Sequence, residues 1–457
     1  MVFGSSLLGF LLAVAILVTV HEFGHYLAAR LCGVRVLRFS VGFGPVLVRW
    51  VGRRSLFAGT EFAISAIPLG GYVRMLDSRD TEHPPRDMRE LAEAFDRQVL
   101  WKRSTIVAAG PLANFLLAAV LYAFALSLPE RGAIASLAPP AEDSPAAAAG
   151  LRGGERVIAV DGTAVLHWGD VRWHLLMALF QDRLRLTVEV GGIEREFELV
   201  RGRTELTDEA ATRGRLESWG LQLDQPARIG FVKPGGPGAA AGLKADDLIL
   251  AIDGRAIAQW SDAAQMIRAA PEQRLRLTVR RATGEQQELV VIPRRELVEG
   301  QAIGRIDVGV ASPLAPGSQR AIDVQRGLIE AVREGTWRAV DATALTVRLL
   351  WGMVMGEVSL RQLSGPLTMA EGAGHTLKQG LSAFVFFLAI VSVSIGVLNL
   401  LPVPMLDGGQ LLYHAFEAIK GAPLSERAEL LGQRIGIGLL TALTLLAIYN
   451  DLLRILN

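Results

Sequence analysis

His21-Glu22-Phe23-Gly24-His25 sets two imidazoles four residues apart, with a carboxylate beside the first. Residues four apart on a helix share one face. His21 and His25 can therefore present ring nitrogens to one divalent ion. Glu22 is placed to take a proton from an attacking water. This H-E-x-x-H spacing is the one that zinc hydrolases use. The motif directly follows an apolar stretch, about Val2 to Val20. Two histidines and a carboxylate at the end of a spanning helix are costly unless they serve a purpose.

Two histidines leave a catalytic zinc short of one protein ligand, with a further position kept open. The remaining histidines are His83, His167, His174, His375 and His414. His83 stands in a loop rich in proline and charge, and His167 and His174 fall in a repeated segment far along the chain. The better candidate is Asp407, in the run Asn399-Leu400-Leu401-Pro402-Val403-Pro404-Met405-Leu406-Asp407-Gly408-Gly409. It is the carboxylate near the end of another apolar stretch. Pro402 and Pro404 break the helix there, and Gly408 and Gly409 permit close backbone approach. His414 lies seven residues further on, ~10 Å away along a helix axis, which is too far to share the ion.

The elements that must position these groups are membrane helices. Of 457 residues, 51% are hydrophobic, too many for an ordinary soluble protein. Four stretches approach the roughly 20 apolar residues a bilayer requires: about Val2–Val20, Ile106–Leu128, Leu381–Leu401 and Ile435–Tyr449. The last is short and calls for local thinning. The first has no basic leader and no small-residue cleavage site, so it reads as retained. Arg30, Arg35, Arg38, Arg49, Arg53 and Arg54 crowd the loop after the first span, and Lys420, Arg427 and Arg434 precede the fourth. Both segments should face the cytoplasm. Net charge is +1, which implies no nucleic-acid partner. Cys32 is the single cysteine, so no intrachain disulfide can form.

About 250 residues separate the second and third spans, and they repeat. Gly150 and Gly242, Asp161 and Asp253, and Trp168 and Trp260 each stand 92 residues apart. Each copy reads as a Gly turn, an apolar strand and an Asp-Gly turn, with later strands at Leu184–Val190 and Leu275–Val279. The pattern resembles PDZ domains, which take up a peptide strand at an open edge. Residues 322–378 look helical by spacing. Between Phe39 and Met75, apolar runs alternate with glycines and read as short strands.

Taken together, these residues resemble the site-2 protease family of intramembrane metalloproteases, in its bacterial regulator-of-sigma-E branch. The match rests on His21–His25, Gly110-Pro111-Leu112-Ala113-Asn114, Asn399 through Gly408, the tandem repeats and Tyr449-Asn450-Asp451. The resemblance implies one Zn²⁺ per chain on His21, His25 and Asp407, with Glu22 as general base. It implies that Asn399 helps hold the substrate strand. It further implies substrates that are single-span proteins already trimmed by another protease, such as anti-sigma factors, and remnant signal peptides.

The expected fold is a polytopic α-helical membrane protein with a cytoplasmic-side β-hairpin or sheet and two extracytoplasmic PDZ-like domains. The expected layout is a first span with the motif (1–30), a β-rich re-entrant region and loop (31–103), a second span (104–129) and two PDZ-like domains (130–220, 221–310). An amphipathic helical linker (311–380), a third span with Asp407 (381–410), a short cytoplasmic connection (411–434) and a fourth span (435–457) follow. The protein should reside in the bacterial inner membrane, with the lipid bilayer as a partner. A substrate held extended exposes backbone groups that lipid cannot satisfy. Phe62–Val73 is expected to offer a strand edge for them, through Ile64, Ser65, Ala66, Gly70 and Gly71. Pro402 and Pro404 are further candidate substrate contacts. A PDZ scaffold with an inert metal site is the competing reading, and an intact Glu22 argues against it.

Overall fold

The computed structural model describes residues 2–201, 217–298, 301–315, 318–422 and 424–456. The chain forms two compact units. One comprises the residues up to Leu128 with Gln325–Leu453, and the other is centred on Pro129–Val324.

The first unit is helical. Its helices are α1 (Val2–Leu31), α2 (Leu100–Ser127), α3 (Leu328–Met355), α4 (Pro366–Gln379), α5 (Leu381–Asn399), α6 (Asp407–Lys420) and α7 (Glu426–Leu456). Among the described residues, four segments are long and apolar enough to cross a membrane: Ser6–Leu31, Leu100–Ser127, Leu381–Asn399 and Arg427–Arg454. α1 carries the motif within a 30-residue helix, about 45 Å long. The fourth span differs from expectation: it is no short stretch, because α7 runs 31 residues. Arg427, Glu429 and Arg434 interrupt its apolar pattern without interrupting its backbone.

Small residues bring the helices together, as packing in lipid demands. A Cβ on Gly24 of α1 would lie 2.4 Å from the Ala109 carbonyl oxygen of α2. Gly396 of α5 lies against the Phe115 ring, and Gly335 of α3 against the Ala123 backbone. Across 322–378, expected to be helical, lie α3 and α4. Ala321–Val324 is a strand paired with Glu130–Ala133, while α3 and α4 pack on the spans. Arg338 of α3 sits 5.6 Å from the Phe386 ring centroid, and Gly374 of α4 meets Ser6.

After α1 the chain builds a sheet from β1 (Val36–Val51) and β2 (Glu61–Met75). Each strand bends and fills two rows. Phe39 pairs with both Phe62 and Val73, and Ile64 with both Val41 and Val48. The rows therefore run 46–51, 61–65, 36–41, 71–75, with the last at an edge. Gly42 and Gly44, at φ +90° and +83°, make the bend in β1. Tyr26 of α1 ties the sheet down, stacking on Phe57, meeting Phe39 and Phe62 edge-on and donating to the Leu56 carbonyl at 2.7 Å.

In the second unit the two copies of the repeat fold alike. Arg156–Val160, Thr163–Ala164, Arg183–Val190 and Ile193–Val200 form one four-stranded sheet, and Leu248–Ile252, Arg255–Ala256, Leu275–Arg280 and Gln286–Val291 form the other in the same order. Asp161-Gly162 and Asp253-Gly254 all have positive φ, the mark of a type I′ hairpin turn. Asp161 accepts the Arg185 backbone N–H at 2.9 Å, and Asp253 that of Arg276 at 2.8 Å. Each copy encloses its own apolar core, one around Trp219 and Leu186, the other around Ile252 and Leu277.

The helix crossing at Gly24 yields a direct test. Gly24→Val should cost about 1–3 kcal/mol through overpacking, read as a lowered thermal midpoint in detergent. An unchanged midpoint would contradict the α1–α2 contact.

Candidate metal centre

His21 and His25 sit one turn apart on α1 with their Nε2 atoms 3.2 Å from each other. Asp407 arrives from the other half of the unit. α5 ends at Asn399, and Leu400–Leu406 turn back on themselves before α6 opens at Asp407. That reversal requires glycine twice. A Cβ on Gly408 would lie 2.2 Å from the Leu400 carbonyl oxygen, and one on Gly409 2.3 Å from that of Val403. Met405 takes φ +92° in the same turn. The result places Asp407 Oδ2 3.2 Å from His21 Nε2 and 3.5 Å from His25 Nε2.

This triangle fits zinc. Ligands at roughly 2.0–2.1 Å from a tetrahedral ion stand about 3.3 Å apart. Asp407 Oδ2 is buried and has no hydrogen-bond partner, a costly arrangement for a carboxylate oxygen unless a cation meets it. Space for the rings depends on α2, where a Cβ on Gly110 would fall 2.3 Å from His25 Nε2 and 2.9 Å from His21 Cε1. Among the described residues one other trio could offer three ligand atoms, Asp80, Glu82 and His83. It is more exposed, and two of its carboxylates are spent on Arg74 at 2.9 Å each.

Further partners on α2 orient the imidazoles. His25 Nδ1 donates to the Ile106 carbonyl at 2.9 Å, which leaves Nε2 free to bind metal. The side-chain amide of Asn114 lies 3.2 Å from His21 Nδ1. Asn114 is fully buried, and its backbone carbonyl accepts Ser392 of α5 at 2.7 Å. Such outer contacts fix ring orientation and ligand basicity. Residue-by-residue reading missed this role. The available signal was a lone amide inside an apolar span, where polar groups are rarely idle.

His21, His25, Asp407, Glu22 and Asn399 line one cavity of about 500 Å³. Gly70 and Gly71 line it too. A Cβ on Gly71 would come within 3.2 Å of Glu22 Cγ, so the edge row runs directly past Glu22. Ile64, Ser65 and Ala66 do not line the cavity. The sheet puts Ile64 in an inner row, paired on both sides, and the Ser65 hydroxyl is bonded to Ser40 at 3.0 Å. Pro402 and Pro404 are also outside the lining. A Cβ on Gly436 of α7 would lie 2.0 Å from the Pro404 carbonyl oxygen, so Pro404 packs against α7. His414 points away from the ligands. It contacts Ser104 at 3.1 Å, and burial, with Arg103 nearby, pushes its imidazole pKa down.

The chain matches peptidase family M50 over residues 9–443. It is 36% identical to the regulator of sigma-E protease of Escherichia coli over 98% of this chain and 99% of that one. A relative from Ralstonia nicotianae that carries a zinc-metalloprotease name is 42% identical over 98% of both chains. One from Neisseria meningitidis, similarly named, is 37% identical over 99% of this chain and all of its own.

His21→Ala, His25→Ala and Asp407→Ala should each abolish stoichiometric zinc. Asn114→Leu leaves all three ligands in place and should weaken zinc about 10–100-fold, measured by competition with a chelator. Full-strength zinc binding by Asp407→Ala would remove it from the ligand set.

Proposed function

We propose, from the premise that the chain belongs to peptidase family M50 and is a zinc metalloprotease, that it hydrolyses single-span membrane proteins at or within the bilayer. The observation that carries this reading is one cavity holding three things together: the His21–His25–Asp407 triangle, the Glu22 carboxylate and a sheet edge. A scaffold needs the third of these but not the first two.

His21, His25 and Asp407 would hold Zn²⁺, which supplies Lewis acidity toward water and a carbonyl oxygen. Glu22 accepts the proton of the attacking water and delivers it to the departing amine nitrogen. A peptide in a helix has its carbonyls bonded internally, so the substrate must be opened before it is cut. Row 71–75 is the sheet edge at the cavity, and an extended segment laid along it regains backbone partners that lipid cannot supply. Asn399, across the cavity, has two donors and an acceptor to offer the same segment. The strand clamp thus moves from the inner residues Ile64–Ala66 to Gly71–Met75.

The basic loop between α1 and α2 supports a cytoplasmic placement of the site in an inner membrane, with the repeats following the second span to the outside. The repeats are read as PDZ-like filters, since among the described residues neither carries a metal-ligand cluster. Substrates of anti-sigma-factor type, already trimmed, and signal-peptide remnants fit a cleft that accepts one extended strand. The Escherichia coli relative's name, regulator of sigma-E protease, points the same way.

Glu22→Gln should keep one zinc and lose about 10²–10⁴ in cleavage rate. With native enzyme, a substrate span carrying a central Gly-Pro pair should be cut on the order of tenfold faster than an unbroken poly-Leu span, since Gly and Pro each lower the cost of leaving the helix. Asn399→Ala should lower the rate for both while zinc stays bound. Equal rates for broken and unbroken spans would sink the clamp and leave the metal chemistry standing.

A further inference from the structure

A second cavity, of about 660 Å³, lies in the same unit. Phe95, Met405 and Gln410 line both cavities, so the two adjoin, and we treat them as halves of one cleft. Met405, in its left-handed backbone conformation, stands at the junction. The halves differ in chemistry. The first is ringed mainly by apolar groups around the metal ligands. The second is charged, with Asp77, Asp96, Glu417 and Glu429 set against Arg79 and Arg103.

Both guanidiniums are already committed. Arg79 grips Asp77 through Nε at 3.0 Å and Nη2 at 2.9 Å. Arg103 is paired with Glu417 and also donates to the Gln98 carbonyl. That leaves Asp96 and Glu429. Asp96 accepts the Ser78 backbone N–H and hydroxyl and stands 3.5 Å from Arg97, which is off the cavity wall. Glu429, near the start of α7, makes no ion pair within 4 Å among the described residues; its charge acts at longer range on Arg79, which Asp77 already grips, so Asp77, Asp96 and Glu429 share one guanidinium. His414 in the same wall does not compensate, since burial and Arg103 favour its neutral form.

We propose that this charged half of the cleft receives the basic flank of the substrate, the Lys and Arg residues that follow a spanning segment on its cytoplasmic side, with Glu429 as the selecting carboxylate. The inference rests on the protease reading above. A strand seated on Gly71–Met75 occupies the metal half. Its continuation passes the shared residues Phe95, Met405 and Gln410 into the charged half. Membrane proteins carry a Lys/Arg excess on that face, so a surplus of carboxylates there matches the chemistry of what arrives. Complementarity of this kind acts on encounter and on choice between partners.

The test uses full-length zinc-loaded enzyme in bilayers and one substrate span with a Lys, Gln or Glu triplet beyond its cytoplasmic end. Native enzyme should show kcat/KM in the order Lys, Gln, Glu, with steps of about three- to fivefold, as for a partly exposed ion pair. The steps should shrink between about 0.05 and 0.5 M salt. Glu429→Lys should reverse the order while zinc content stays at one per chain. The substrate series on unaltered enzyme stands even if that variant misfolds. Three flanks cut within twofold of one another would overturn the inference and leave the protease intact. If no flank is cut by zinc-loaded enzyme, the protease reading fails and takes this one with it.

Discussion

Three atoms able to bind a metal, from two distant parts of the chain, lie within 3.5 Å of one another. Much of the membrane unit can be understood as the cost of that meeting. A buried carboxylate oxygen without a hydrogen-bond partner is unfavourable by several kcal/mol on its own, and a cation at the centre of the triangle reverses the sign. α1 must pass close to α2, hence Gly24 against Ala109. α2 must leave room for two imidazoles, hence Gly110. α5 must end and reverse within a few residues, hence Gly408 and Gly409 against their own preceding carbonyls. Pro111 fits the same logic, because it gives up the helical bond to the Val107 carbonyl next to the Ile106 carbonyl that holds His25.

The proposed function adds a second constraint, that a peptide reach the metal in extended form. The sheet meets it by folding two strands into four rows. Rows 61–65 and 36–41 are inner, 46–51 and 71–75 are the two outer rows, and 71–75 is the one at the cavity. Gly71 matters for its missing side chain: any Cβ there would crowd Glu22 and the Ser40 carbonyl. Tyr26 couples the two constraints, since it belongs to the motif helix and also anchors the sheet through Phe39 and Phe62.

The sequence made the chemistry more legible than the architecture around it. That His21, Glu22 and His25 would lie together was readable because a single helix turn fixes their relation, and Asp407 stood out as their candidate neighbour because a carboxylate beside broken helix in an apolar region is rare. The repeats were readable because each Asp-Gly turn is a local event. What escaped depends on long-range pairing. Nothing local to Ile64 says that it will be flanked on both sides, while Gly71 will not. Pro404 looked like a substrate contact, but its neighbours come from α7, some thirty residues further on. Asn114 was visible as a residue and not as a partner of His21, because that contact joins two helices. The fourth span read as short because charges at its start break an apolar window without breaking a helix.

The most direct measurement of the central claim is X-ray absorption at the zinc edge on purified protein, native and with Asp407→Asn. The account predicts a first shell of two imidazole nitrogens and two oxygens at about 2.0–2.1 Å, one oxygen from Asp407 and one from solvent. The imidazole outer-shell scattering should mark two rings, and the variant should lose zinc or change its oxygen shell. A spectrum with a sulfur ligand or with fewer than two imidazoles, or one unchanged in the variant, would contradict the assignment of His21, His25 and Asp407 as the metal's ligands.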